Sequence, residues 1–312
     1  MLRIALPFLL AAALPAAAQI KLGIVGTDTS HVVAFSSILH DPKNPSHVPG
    51  ARIVAAFKGG SPDVESSHTR VEKYAKELET KWGIEIVSTI AALCPKVDGF
   101  LLESVDGRTH LPQFREIAKC GKPVFIDKPL ASTLEDAREI ARIAKEKKVP
   151  WFSTSSLRYT DPCLNWKSPD NTGVITWGPG PTEEHHYLDL SWYAIHPVEM
   201  LFTLMGRGCE TVTRTMGEGA DETTCRWKDG RIGTVRSLRP YGDYGVVVFR
   251  PKEILQSPPK MRSNYAPMLK DVVQFFQTGK PPVPNEDTLE IFAFMDAAQK
   301  SKEQGGKPVK LR

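Results

Sequence analysis

The chain has 312 residues, 41% of them hydrophobic and 24% charged, a balance typical of a globular protein with room for about two domains. Its formal charge is only +4, and no lysine–arginine run is long enough to track a nucleic-acid backbone. Past the first residues, no apolar stretch approaches the length that spans a bilayer. Residues 1–18 pair Arg3 with an apolar run over 4–14 and with Ala16-Ala17-Ala18. That order predicts a secretory signal with a mature start near Gln19, and hence a periplasmic or secreted protein.

From there strands and helices alternate. Strands are expected at 20–26, 51–57, 85–87, 97–102, 124–126 and 151–154, with helices at 30–39, 71–82, 90–93 and before Gly121. Thr133, with Asp136 three residues on, caps a further helix that runs to Lys148. Alternation of this kind implies a parallel sheet with right-handed crossovers, a Rossmann-type domain over 19–155. The second half changes character. Consecutive strands at 174–177, 211–216, 223–227, 233–238 and 245–249 surround helices at 192–205 and 265–278. A last helix at 287–303 and a closing strand at 309–311 complete an α+β domain, 156–312, with a largely antiparallel open sheet. Its exposed face favours a homo-oligomer. Of the five cysteines, Cys94, Cys120, Cys163, Cys209 and Cys225, none stands at zinc-site spacing. They are expected mostly as buried thiols, with Cys209–Cys225 the one candidate disulfide.

The segment 121–131, Gly-Lys-Pro-Val-Phe-Ile-Asp-Lys-Pro-Leu-Ala, sets Asp127-Lys128-Pro129 at the carboxyl end of a buried strand, the edge where open α/β sheets bind ligands. A lysine there offers a compact cation that polarises a substrate oxygen. This triplet resembles the Glu-Lys-Pro motif of the Gfo/Idh/MocA family, the relatives of glucose–fructose oxidoreductase and inositol dehydrogenase. Tyr193-Ala194-Ile195-His196-Pro197-Val198-Glu199 is similar to that family's Asp-x-Gly-x-His-x-x-Asp. Trp192 stands at the first acid and Glu199 at the last. The resemblance implies that Lys128 polarises the reacting oxygen and that His196 exchanges its proton. With the first acid gone, Asp189 is a candidate to orient the histidine.

The resemblance also implies a dinucleotide, NAD or NADP, on the loop Gly26, Thr27, Asp28, Thr29, Ser30 and His31. The fingerprint Gly-x-Gly-x-x-Gly keeps only its first glycine here. Asp28 at the second glycine would set negative charge beside the pyrophosphate. Lys58 stands where a ribose-binding acid is expected, which favours NADP. Ser104 and His110 follow the next strand in a turn similar to the family's Thr-Pro-Asn-x-x-His, and with Lys128 and Pro129 would border the nicotinamide. The substrate implied is a sugar, polyol or sugar derivative. The alternatives are a lyase or hydrolase that uses the same lysine and histidine, with or without internally recycled cofactor, or a binding module without a dinucleotide. Glu183, Glu184, His185, His186, Asp189 and His196 form a ligand-type cluster, but neighbouring histidines on a strand face opposite ways, and no metal site is assigned.

Overall fold

The computed structural model describes residues 19–261 and 263–311; the expected signal segment, 1–18, lies outside the described residues. Six strands form the first sheet: β1 (Ile20–Val25), β2 (Ala51–Phe57), β3 (Glu85–Val87), β4 (Gly99–Leu102), β5 (Val124–Asp127) and β6 (Trp151–Thr154). All pairings are parallel, in the order β3-β2-β1-β4-β5-β6. Strands β4, β5 and β6 are buried throughout, as expected of parallel strands covered on both faces. Helices α1 (Ser30–His40), α2 (Glu65–His68), α3 (Val71–Trp82), α4 (His110–Ala118) and α5 (Leu134–Lys147) make the crossovers. The Thr133 hydroxyl accepts from the Asp136 N–H at 3.0 Å, the cap read from the sequence.

Two short helices, α6 (Asp161–Asn165) and α7 (Asp189–Trp192), and the buried α8 (Ile195–Met205) belong to the second half. Its strands are β7 (Gly173–Pro179), β8 (Cys209–Met216), β9 (Ala220–Trp227), β10 (Ile232–Leu238), β11 (Gly245–Arg250), β12 (Glu253–Gln256) and β13 (Val309–Lys310), in the order β12-β11-β7-β10-β9-β8-β13. The sheet is mixed rather than purely antiparallel, because β10 runs parallel to β7. The chain leaves β7 through the helical crossover α7–α8, and the β8-β9-β10 meander then lands beside it in the same direction.

Val174, Val212, Val235 and Val248 point inward beneath α8 and α10 (Asn285–Glu303), whereas Ile175, Ile232 and Ile254 lie on the uncovered face. Helix α9 (Tyr265–Thr278) returns to the first sheet, where Phe275 meets Phe152 at 4.9 Å between ring centres. The two halves therefore share core.

The expectation of mostly free thiols is corrected. Cys209–Cys225 is bonded, and so is Cys94–Cys120, whose Cα atoms stand 5.5 Å apart. Among the described residues only Cys163 is free, and it is buried. Cys94 and Cys120 each follow a helical turn at the amino-terminal edge of the first sheet. The fold, not the chain spacing, brings them together.

Candidate active site

Strands β1, β4 and β5 are neighbours and end at one edge, so the turns after them converge. The turn after β1 is tight. Gly26 adopts φ +95°, and a Cβ on it would come within 2.6 Å of Ser104 backbone, which only glycine avoids. The turn after β4 is pressed on the turn after β5, where a Cβ on Gly107 would meet the Ala131 carbonyl carbon at 2.7 Å. His110 fastens both turns. Its Nε2 lies 2.7 Å from the Ser104 carbonyl and its Nδ1 3.2 Å from that of Leu130. Fully buried, His110 braces the site and does not line it, and Ser104 turns its hydroxyl to Gln113 at 2.9 Å. Pro129 is joined by a cis bond and is buried below the rim.

Lys128 faces a cavity of about 420 Å³ bordered by Thr29, Ser30, His31, Arg70, Tyr193 and His196, with Tyr241, Tyr244 and Tyr265. Its Nζ lies 5.9 Å from the centre of the Tyr193 ring and forms no ion pair among the described residues. His196 sits in the first turn of α8, its Nδ1 2.6 Å from the Ser155 hydroxyl and its ring edge-on to Tyr244. Burial, then the Lys128 charge, hold this imidazole well below the ordinary histidine value, so it is neutral at physiological pH. The Ser155 oxygen also accepts from the Leu157 N–H at 3.1 Å, which fixes it against the ring.

Lys128 and His196, from different sheets, thus border one cavity. Several other expected roles do not survive. Asp189 pairs with Lys302 at 2.6 Å and Arg214 at 3.3 Å, so Ser155 and not Asp189 positions His196. Glu199 is buried against Arg158. His185 meets Glu183 at 2.7 Å, while His186 meets Asp106 at 3.0 Å; the ligand-type cluster has no common centre. Asp28 does not border the cavity. Its carboxylate is fully buried, accepting from the Ser67 hydroxyl at 2.6 Å and the Val105 N–H at 3.2 Å. Desolvation raises its pKa. Thr27 is spent on the carbonyls of Lys58 and Val71. Lys58, partly exposed, pairs with Glu72 at 2.7 Å.

Nothing in the sequence marked a second hollow of about 630 Å³, walled by Phe57, Gly59, Ser61, Arg108 and Gln113. Asp106 at its wall holds a second tie. Asp106 accepts from Ser61 at 2.6 Å, from Arg108 and, across the domains, from His186. Burial works to raise the Asp106 carboxyl, but hydrogen bonds from His186, Arg108 and Ser61 outweigh it and hold it well below the usual carboxylate range.

A dinucleotide fits the two ends. The α1 N-terminus, with Thr29, Ser30 and Arg70 beside it, suits a pyrophosphate, and the second hollow suits an adenosine.

Residues 20–154 match the family model GFO_IDH_MocA, described as an oxidoreductase family with an NAD-binding Rossmann fold. Over these residues the chain is similar to the Gfo/Idh/MocA oxidoreductases. The second half follows the fold of solved relatives. A probable dehydrogenase from Thermotoga maritima is 21% identical with a TM-score of 0.72, covering 94% of this chain and 99% of its own. Myo-inositol dehydrogenase from Lactobacillus casei, in complex with NAD(H) and myo-inositol, is 17% identical (TM-score 0.73; 94% and 97% covered). Apo scyllo-inositol dehydrogenase from Lactobacillus casei is 14% identical (TM-score 0.72; 94% and 98%). No curated protein matches the chain. At these identities the likeness is one of fold.

Proposed function

We propose that the protein is an NAD(P)-linked oxidoreductase of a sugar, polyol or sugar derivative. The observation that carries this is the meeting of an unpaired Lys128 and a neutral, buried His196 at one tyrosine-walled cavity on an NAD-binding family domain. Lys128 donates to the substrate oxygen and stabilises negative charge as it develops there. His196, held by Ser155, takes the hydroxyl proton. Tyrosine rings give the ring face of a carbohydrate an apolar wall with polar tips. Thr29, Ser30 and Arg70 hold the cofactor phosphates. The nicotinamide, when bound, accepts or gives the hydride, which no side chain does.

The ties through Asp28 and Asp106 favour a variant of this reading, in which the dinucleotide is retained and recycled within one turnover. The residues 1–18 and two disulfides fit an exported protein in an oxidising compartment, where free cofactor is scarce. The uncovered sheet face, with Ile175, Ile232 and Ile254, suits a homo-oligomer. Turnover of a panel of polyols, sugars and glycosides by the purified chain tests the proposal. Reaction with Lys128→Met and His196→Gln each slower by about 10²-fold is expected. Net change in NAD(P)H separates the simple dehydrogenase from the recycling enzyme. Substrate binding without turnover on any of the panel would favour a binding module instead.

A further inference from the structure

One feature of the cleft floor has no part in that chemistry. Glu103 follows β4, Asp127 ends β5 and His31 opens α1 after β1, so three adjacent strands deliver a histidine and two carboxylates to one point. One ligand atom from each lies within 4.8 Å of the others. The His31 Nδ1 stands 2.7 Å from Asp127 Oδ2.

Glu103 is the telling member. Its side chain is 0% exposed, and neither carboxyl oxygen has a hydrogen-bond partner. A buried carboxyl without partners is costly, and such groups in folded proteins usually serve a ligand or a function. The backbone gives it no freedom to escape, because the Glu103 N–H is tied to the Val25 carbonyl at 2.7 Å. A second carboxylate beside it worsens the repulsion unless positive charge stands between them. His31 is equally fixed, stacked on Phe35 and edge-on to Tyr265.

We propose that His31, Glu103 and Asp127 form a site for one divalent transition-metal ion. Ligand atoms around such an ion lie about 3–4 Å apart, within small side-chain rotations of the present arrangement. One imidazole nitrogen and two carboxylates suit zinc, manganese or iron(II) better than calcium or magnesium. The Lys128 ammonium, next in the chain, lies over the Tyr193 ring and forms no ion pair with either carboxylate among the described residues. The His31 ring borders the cavity, which gives the ion an entry path and leaves its remaining position for water or a substrate oxygen, as in open catalytic centres. The proposal stands apart from the redox reading: the ion binds with or without a dinucleotide.

The test is a titration of the chelator-treated full chain with Mn²⁺ alone, followed by its electron paramagnetic resonance, and with Zn²⁺ by calorimetry. One ion per chain is expected. Glu103→Gln, close in shape, and His31→Ala should each weaken binding by roughly 10–100-fold or more, the scale of losses even at outer-shell positions. Circular dichroism checks their fold. Should a variant not fold, His31→Gln replaces it, and loss there of the imidazole nitrogen coupling that Cu²⁺ shows on the wild-type chain decides the case. Binding or coupling present in the wild type and lost in Glu103→Gln or His31→Gln upholds the site. No ion bound at about 100 µM metal, a weak regime by ordinary affinity arithmetic, overturns it. Wild-type affinity in Glu103→Gln overturns it too, and leaves Glu103 as a buried neutral acid.

Discussion

His196 is kept neutral by its surroundings, and that has a measurable consequence. A base works in its deprotonated form. Its folded pKa lies well below 6.5, through burial first and the Lys128 charge second. The deprotonated form therefore persists as pH falls through 6.5. For substrate oxidation the acidic limb of kcat/KM is expected below that value, and in Lys128→Met, with one cause removed, it should move back up. A wild-type limb at or above 6.5 would remove His196 as the base. Asp28 carries a second prediction at this scale. From sequence it stood beside the pyrophosphate, where its removal would tighten cofactor binding. Buried on Ser67 and Val105, it is instead a tie between loops. Asp28→Ala should destabilise the fold by about 1–3 kcal/mol, the cost of leaving a buried donor without its acceptor. Urea unfolding measures this; unchanged stability with tighter NAD(P) binding would restore the first view.

Elements differ in how far the sequence reveals them. The strands β4 and β5 were legible because burial on both faces favours apolar runs, and Thr133–Asp136 marks a helix start by local chemistry alone. Lys128 was legible for a related reason, since a strand end fixes where the next residue lies. The direction of β10 beside β7 was not, because alternation of inward and outward residues is the same in either direction. Nor were the pairs Ser155–His196, Arg158–Glu199 and Asp106–His186, whose members are at least 41 residues apart. Nothing local marks one partner for the other. Cys94–Cys120 belongs with these. It closes 26 residues, and in the chain-entropy model its loss in Cys94→Ser/Cys120→Ser should cost about 3–4 kcal/mol. Equilibrium unfolding of that double variant checks the value; a cost near zero would mean that the bond contributes no net stability.

For the whole molecule, the arrangement of two sheets leaves one broad face uncovered, while the Asp106–His186 contact joins the two halves. Ile232, 55% exposed, and Ile254, 66% exposed, lie on that face among threonines and arginines. Light scattering is expected to report a dimer or larger assembly, and Ile232→Glu to shift it toward monomer; a wild-type monomer at high concentration would refute the association. The cleft bears on the central claim, a dinucleotide site served by Lys128 and His196. Its most direct test is the NAD(P) content of the purified chain, measured by mass spectrometry of the denatured extract, with titration of any empty fraction by NAD and NADP. The account predicts a dinucleotide retained by part of the protein, and saturable binding of NAD or NADP by the rest. No dinucleotide in the extract, together with no binding of either form, would contradict it and leave the family fold in another use.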